Sequence, residues 1–312
     1  MTIAPERTAA LPATTPTGRA LLRRPGSPTF SLERLSPFFG ARVTGVDLAT
    51  LDDADQLAAL RNALVTHKVL VLPAQRLTPD TQVRLGNRLG ALTAGHPIVA
   101  ALDEAHPEIY ALDSADGGFA DVWHTDVTFV RRPPMGSILR AVSVPDVGGD
   151  TNWADSQLAY ESLSPAVRRM VDGLNAVHDG TREWGYYLAQ KRAGQGNNWE
   201  GETFRGFEPI SHPVVRVHPE TGRKGLFVNP GFTSHIEGVS DAESRGILDL
   251  LYAHLTKPEH IVRHRWTAED VVMWDNRATI HYANRDYGNF RRVMHRVTMS
   301  GDAPYGPVGT TA

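Results

Sequence analysis

Arg291-Arg-Val-Met-His-Arg-Val-Thr-Met299 decides the reading of the fold, because its apolar and polar side chains recur with a period of two. On a strand, alternate side chains point to opposite faces. Arg292, Met294, Arg296 and Thr298 then share one face, and Val293, His295, Val297 and Met299 share the other, which reads as core. Guanidinium groups on so apolar a strand want anions, and a guanidinium fork matches a carboxylate at two points. Four residues of strand set Arg292 and Arg296 roughly 13 Å apart at the backbone. The two can serve two different anions, or one can reach inward while the other pairs with Asp302 or a glutamate. The plainer alternative is a pair of surface or salt-bridged arginines.

Other stretches share this strand character. Gly136 to Val144 carries Ile138, Leu139, Val142 and Val144; Lys68 to Leu72 and Val271 to His281 are similarly apolar and short. His212 to Asn229 reads as a hairpin, Val214–Val217 against Gly225–Asn229, around Glu220-Thr-Gly-Arg223. Helices flank these strands. Leu57, Leu60 and Leu64 recur at helical spacing behind Asp53 and Asp55. Thr78-Pro79-Asp80 offers a cap and a first-turn proline for a helix through Leu92. Ser164-Pro165 precedes the stripe Val167, Met170, Val171 and Leu174, and Ser240-Asp-Ala-Glu243 is a capping box ahead of Ile247, Leu248, Leu251 and Leu255. Short strands with polar turns and a few flanking helices predict a mainly β fold, a sandwich or jelly roll decorated by helices.

Residues 29–312 read as one domain, since no linker or repeat divides them. Residues 1–28, rich in Ala, Thr, Pro and Arg, read as a flexible lead-in without the apolar core of a signal peptide. Arg182 to Phe207 sets Trp184, Tyr186, Tyr187, Trp199, Phe204 and Phe207 among glycines and asparagines. It reads either as a long surface loop or as a lid over a substrate.

Composition narrows the function. With 41% hydrophobic and 21% charged residues the 312-residue chain is neither disordered nor fibrous. It has no apolar run of membrane-spanning length. A net charge of −3 argues against nucleic acid as the main partner. The absence of cysteine excludes disulfides, thiolate nucleophiles and Cys-ligated metals, so any metal must rest on His, Asp or Glu. The expected location is the cytoplasm.

Trp123-His124-Thr125-Asp126 is the strongest chemical signal. On a strand, His124 and Asp126 offer an imidazole and a carboxylate to one ion, but the pair needs a third ligand from elsewhere. His281, in Trp274-Asp-Asn-Arg-Ala-Thr-Ile-His281, is the candidate. Two histidines and a carboxylate make the facial set used for non-haem Fe(II), with open positions for a chelating cosubstrate and dioxygen.

Five blocks, Trp123–Phe129, Gly148-Gly-Asp-Thr151, Trp274–Arg277, His281-Tyr282 and Arg292 to Asp302, occur in the order seen in the taurine dioxygenase (TauD/TfdA) family, which the chain resembles over about residues 30–305. The resemblance implies a double-stranded β-helix, or jelly roll, and a dioxygenase that uses Fe(2+), 2-oxoglutarate and O2 and releases succinate and CO2. It makes His124, Asp126 and His281 the iron ligands. Arg292 becomes the holder of the far carboxylate of 2-oxoglutarate and Thr151 its hydroxyl partner. Retention of a carboxylate at Asp126 disfavours the halogenase variant of this chemistry. A homo-oligomer, dimer or tetramer, is also implied.

In sulfonate-oxidising members, an arginine four residues after the oxoglutarate arginine and a histidine in an early loop bind the substrate anion; Arg296 and His96 match them. Taurine-specific members carry an Asn and a Tyr where this chain has Ala120 and Val99. The pocket is therefore less polar, and an alkyl sulfate or alkylsulfonate fits better than taurine itself. A carboxylated biosynthetic substrate is the alternative within the same chemistry. Two other classes of function remain to be weighed: an oxygen-independent, cupin-like metalloenzyme, and a jelly-roll binding module.

Overall fold

In the computed structural model the chain begins with β1 (Ser31–Arg34) and β2 (Ala41–Thr44), passes through α1 (Ala54–His67) into β3 (Val69–Leu72), and through α2 (Pro79–Leu89) to β4 (Tyr110–Asp113). Then come β5 (Gly136–Ser143), β6 (Thr151–Asp155), α3 (Ser156–Ser162), α4 (Pro165–Val171) and β7 (Asn175–His178). Short strands β8 (Asn198–Trp199) and β9 (Glu202–Thr203) precede β10 (Ile210–Pro213), β11 (Val215–Val217), β12 (Lys224–Leu226) and β13 (Thr233–Ile236). The chain ends with α5 (Asp241–Leu255), β14 (Ile261–His264), β15 (Val271–Asp275), β16 (Thr279–Ala283) and β17 (Val293–Met299). The structure describes residues 28–116, 119–182, 198–199, 202–203 and 208–307. The lead-in expected over 1–28 lies outside them except for Pro28, and the lid expected over 182–207 lies outside them except for Arg182, β8 and β9.

The expected caps are present. Asp53 accepts the Gln56 N–H ahead of α1, and Ser164 accepts the Val167 N–H ahead of α4. Thr78 with Thr81, and Ser240 with Glu243, form reciprocal capping boxes that satisfy otherwise orphaned N–H groups of α2 and α5. One boundary differs: α2 stops at Leu89 and does not reach Leu92. The chain turns there so that Leu92 bridges to Met299, and it packs where a side chain on Gly86 would stand, 2.6 Å from Leu92 Cδ2. The hairpin's ladder runs over Val215–Val217 and Lys224–Leu226, and the Phe227 N–H donates to the Val214 carbonyl at 2.7 Å just beyond it.

The strands form a seven-stranded sheet in the order β1-β2-β3-β15-β5-β17-β4 and a facing three-stranded sheet, β14-β6-β16. All pairings in them are antiparallel except β2 with β3. Alternation along each strand sorts the core into layers. Leu70, Leu72, Val271, Met273, Val297 and Met299 face α1 and α2, packing on Leu57, Leu60, Leu64, Leu85 and Leu89. Val69, Val71, Val272, Trp274 and Met294 face the second sheet, packing on Trp153, Val262 and Trp266. Behind that sheet, Ala154 and Ile280 meet Leu248, Leu251 and Leu255 of α5. The result is the mainly β, jelly-roll architecture with flanking helices, buried on both faces of its large sheet. That double burial explains why β3 reads as unbroken Val-Leu-Val-Leu.

One buried ion pair ties the layers together. Lys68, in a left-handed conformation at the end of α1, donates through Nζ to Asp155 Oδ2 at 2.8 Å, with both side chains fully enclosed. Asp155 also accepts the Gln157 and Leu158 N–H groups and so caps α3. Truncating one partner of such a pair leaves a buried charge uncompensated. Lys68→Ala is expected to lower the unfolding free energy by about 3–5 kcal/mol in urea titrations, whereas the double change Lys68→Met with Asp155→Asn is expected to cost clearly less.

Candidate metal centre and anion-binding cleft

The segment holding His124 and Asp126 is not the strand its spacing suggested. It makes a single antiparallel bridge with β16: the His124 N–H donates to the His281 carbonyl at 2.9 Å, and the His281 N–H returns to the His124 carbonyl at 2.7 Å. Immediately after Asp126 the chain turns, with Val127 at φ 52°. A β-branched residue rarely enters that left-handed region, so its surroundings must hold it there. Asn276 supplies part of that hold. Its Oδ1 accepts the Asp126 N–H at 2.9 Å, and its Nδ2 donates to the carbonyls of Asp126 at 3.1 Å and Pro134 at 2.9 Å. A bridge and an amide clamp, not strand alternation, bring His124 and Asp126 together.

The three side chains converge. His124 Nε2 and His281 Nε2 each lie 3.6 Å from Asp126 Oδ1, and the three donor atoms lie within 4.8 Å of one another. All three residues are buried. His124 donates from Nδ1 to the Val122 carbonyl at 2.7 Å, which leaves the Nε2 lone pair facing the other two groups. Burial and the neighbouring His124 push the His281 pKa well down, so the ring is neutral. Burial alone would raise the Asp126 pKa, but the Arg296 guanidinium and the adjacent histidines hold the carboxyl well below the usual carboxylate range. Ser137 donates to its second oxygen at 3.0 Å. Two imidazoles and an ionised carboxylate form a donor set suited to a ferrous ion, with a site built to present them.

Arg292 and Thr151 also meet. Arg292 donates from Nε to the Gly149 carbonyl at 3.2 Å and from Nη2 to Thr151 Oγ1 at 3.5 Å. Trp266 donates from Nε1 to the same Thr151 hydroxyl at 2.9 Å. Gly149, at φ 71°, lets the chain pass close by: a Cβ there would lie 3.2 Å from Arg292 Cδ. Arg292 is only 5% exposed, and burial lowers its pKa. Among the described residues no carboxylate pairs with it, and a buried cation in that state calls for an anion.

Arg296 is compensated differently. Its Nη1 donates to Asp126 Oδ1 at 2.8 Å, and its Nε donates to the Tyr110 hydroxyl. Arg296, His96, Val99 and Ala120, the four residues expected to contact substrate, line one cleft that opens on His124 and Asp126. Leu112, Phe119 and Phe232 make much of the remaining wall apolar. His96 accepts the Ile98 and Val99 N–H groups at Nδ1, at 3.1 and 3.0 Å, which puts its ring proton on Nε2. Sequence reading missed Tyr110, Ser137 and the amide clamp of Asn276. Only Asn276 carried a signal, its place beside Trp274 and Asp275; Tyr110 reaches the cleft because β4 pairs it with Arg296 across the sheet.

The profile of the family described as "Taurine catabolism dioxygenase TauD, TfdA family" matches residues 31–298. An "Alkylsulfatase" of Acinetobacter baylyi is 37% identical over 286 residues, 89% of this chain and 87% of that protein. An "Alpha-ketoglutarate-dependent sulfate ester dioxygenase" of Pseudomonas putida is 38% identical over 93% of this chain and 96% of its own length. A solved structure from Burkholderia xenovorans, described as a putative alpha-ketoglutarate-dependent taurine dioxygenase, superposes with a TM-score of 0.78 at 39% identity, covering 90% of this chain and 96% of that one.

The Asn276 clamp generates a prediction. Asn276→Ala removes three hydrogen bonds that fix the Asp126 segment, while leaving every ligand in place. Metal titration of this variant is expected to show affinity for Fe(II) reduced on the order of 10–100-fold, the range for groups that orient ligands, with the fold retained by circular dichroism.

Proposed function

The chain belongs to the TauD/TfdA family and is a 2-oxoglutarate-dependent dioxygenase, and from that premise we propose that it oxidises an alkyl sulfate ester or an alkylsulfonate. Membership sets aside the oxygen-independent metalloenzyme and the binding module. We assign the iron to His124, Asp126 and His281, an assignment supported by their convergence and by the tautomer that the Val122 carbonyl selects at His124. Bound there, iron supplies the means for O2 to oxidise 2-oxoglutarate to succinate and CO2 and to place an oxygen atom on a substrate carbon.

The chain's own residues bind, orient and exclude water. Arg292 grips the far carboxylate of 2-oxoglutarate and Thr151 adds a hydroxyl contact; the burial of Arg292 with no carboxylate partner among the described residues is the observation that carries the reading. Arg296 and His96 take the oxygens of the substrate anion. The apolar wall receives the alkyl chain and keeps water from the reacting carbon. An ammonium end would lose the polar partners that Val99 and Ala120 replace, which weighs against taurine. Hydroxylation of R–CH2–OSO3⁻ at the carbon bearing the ester gives R–CH(OH)–OSO3⁻, which loses hydrogen sulfate to leave the aldehyde; a sulfonate would lose sulfite. The likeness to an alkylsulfatase and a sulfate ester dioxygenase supports this class. Because a guanidinium also suits a planar carboxylate, the second reading is a carboxylated biosynthetic substrate. From the family resemblance alone we extend the reading to a cytoplasmic homo-oligomer, dimer or tetramer, built on a single domain over residues 29–312.

Succinate release measured over taurine, alkylsulfonates, alkyl sulfates and carboxylated amines tests the reading. The expected order places alkyl sulfates and alkylsulfonates above taurine; release stimulated by carboxylated compounds alone would favour the second reading. His124→Ala, Asp126→Ala and His281→Ala are each expected to abolish turnover and weaken iron binding, checked by metal analysis after dialysis. Arg292→Ala is expected to raise the 2-oxoglutarate KM through loss of a contact worth on the order of 2–5 kcal/mol, read from initial rates at varied 2-oxoglutarate.

A further inference from the structure

Tyr110 is fully buried and lines the same cleft as Arg296 and His96. Its ring packs on His96, centroids 5.1 Å apart, and the Arg296 guanidinium lies 4.8 Å from its centre. Its hydroxyl oxygen accepts the Arg296 Nε–H. A phenol has one proton to donate as well as lone pairs to accept with, and among the described residues the Tyr110 proton has no acceptor. The Arg296 hydrogen bonds are directional too: Nε is spent on Tyr110 and Nη1 on Asp126, while Nη2 has no partner among the described residues.

We propose that the Tyr110 hydroxyl donates a hydrogen bond to the anionic head of the substrate and selects a tetrahedral head with three terminal oxygens over a planar carboxylate. This rests on the organosulfur reading above. Three donor hydrogens with no acceptor among the described residues then border the head: the two on Arg296 Nη2 and the one on the Tyr110 hydroxyl. A sulfate ester or sulfonate presents three terminal oxygens as a tripod and can engage each donor with a separate oxygen. A carboxylate has two oxygens in one plane, so one of the three donors goes without an oxygen of its own. Leaving a buried donor without an acceptor disfavours the wrong ligand, which is how a polar site discriminates more sharply than an apolar one. Tyr110 also fixes the rotation of Arg296 through Nε, so its donor function must be separated from simple orientation of the arginine.

Tyr110→Phe keeps the ring and removes only the hydroxyl. The test is anaerobic calorimetry of hexyl sulfate and of hexanoate with the Fe(II)- and 2-oxoglutarate-loaded protein, wild type and variant. The expected result is roughly a tenfold loss of hexyl sulfate affinity with less than about threefold loss for hexanoate, and a matching rise in the hexyl sulfate KM at little-changed kcat. Equal losses for both anions would overturn the proposal and leave Tyr110 as a support for Arg296. Unchanged hexyl sulfate affinity would overturn it outright. If the wild-type protein binds hexanoate but neither hexyl sulfate nor hexanesulfonate, the organosulfur reading itself fails and this assignment with it.

Discussion

The reciprocal backbone hydrogen bonds between His124 and His281 are what the rest of the site depends on. They join two residues that the sequence separates by most of the sheet-forming chain, and they set the separation of the two imidazole side chains directly from peptide geometry. β16 is itself held against β6, where His281 faces Trp153 across the ladder, and the His281 ring lies 4.9 Å from Trp274 of the large sheet. The candidate ligands therefore inherit their positions from the packing of the two sheets. A reacting centre has to be held to within about half an ångström, and backbone pairing inside a close-packed core provides that more reliably than a flexible loop.

Charge divides the site into two ends. Two guanidinium groups from one strand region are buried within the same interior, yet their surroundings differ. Arg296 has Asp126 within 2.8 Å, so the pair is already neutral overall. Among the described residues the Arg292 guanidinium meets a carbonyl, a hydroxyl and the Trp266 ring, and no carboxylate pairs with it. The first arginine is therefore already compensated, and the second has no carboxylate partner among the described residues. That difference is what supports assigning the two arginines separate roles, which their common spacing on a strand leaves undecided.

Much of the architecture was legible because it follows local rules. Caps at Asp53, Thr78, Ser164 and Ser240 announce their helices through side chains only a few residues away. The alternation in Arg291–Met299 puts Arg292 and Arg296 on one face from the sequence alone. The residue types at 124, 126 and 281 restricted the metal chemistry because cysteine was absent. What escaped were features set by distant partners. The end of α2 is decided by Leu92 meeting Gly86 and Met299, not by the helix's own sequence. The aim of Asp126 comes from Asn276 and the turn at Val127, where strand periodicity had given a plausible but incorrect reason for the right pairing. Tyr110 enters the cleft through cross-strand register, which no local pattern encodes.

The most direct test of the metal and cosubstrate assignment is optical. Fe(II) and 2-oxoglutarate added together without oxygen are expected to give a weak visible metal-to-ligand charge-transfer band in the wild-type protein. The band should vanish in His281→Ala and require more 2-oxoglutarate in Arg292→Ala. A folded wild-type protein that shows no band at saturating Fe(II) and 2-oxoglutarate, or a His281→Ala protein whose band is undiminished, would contradict the account.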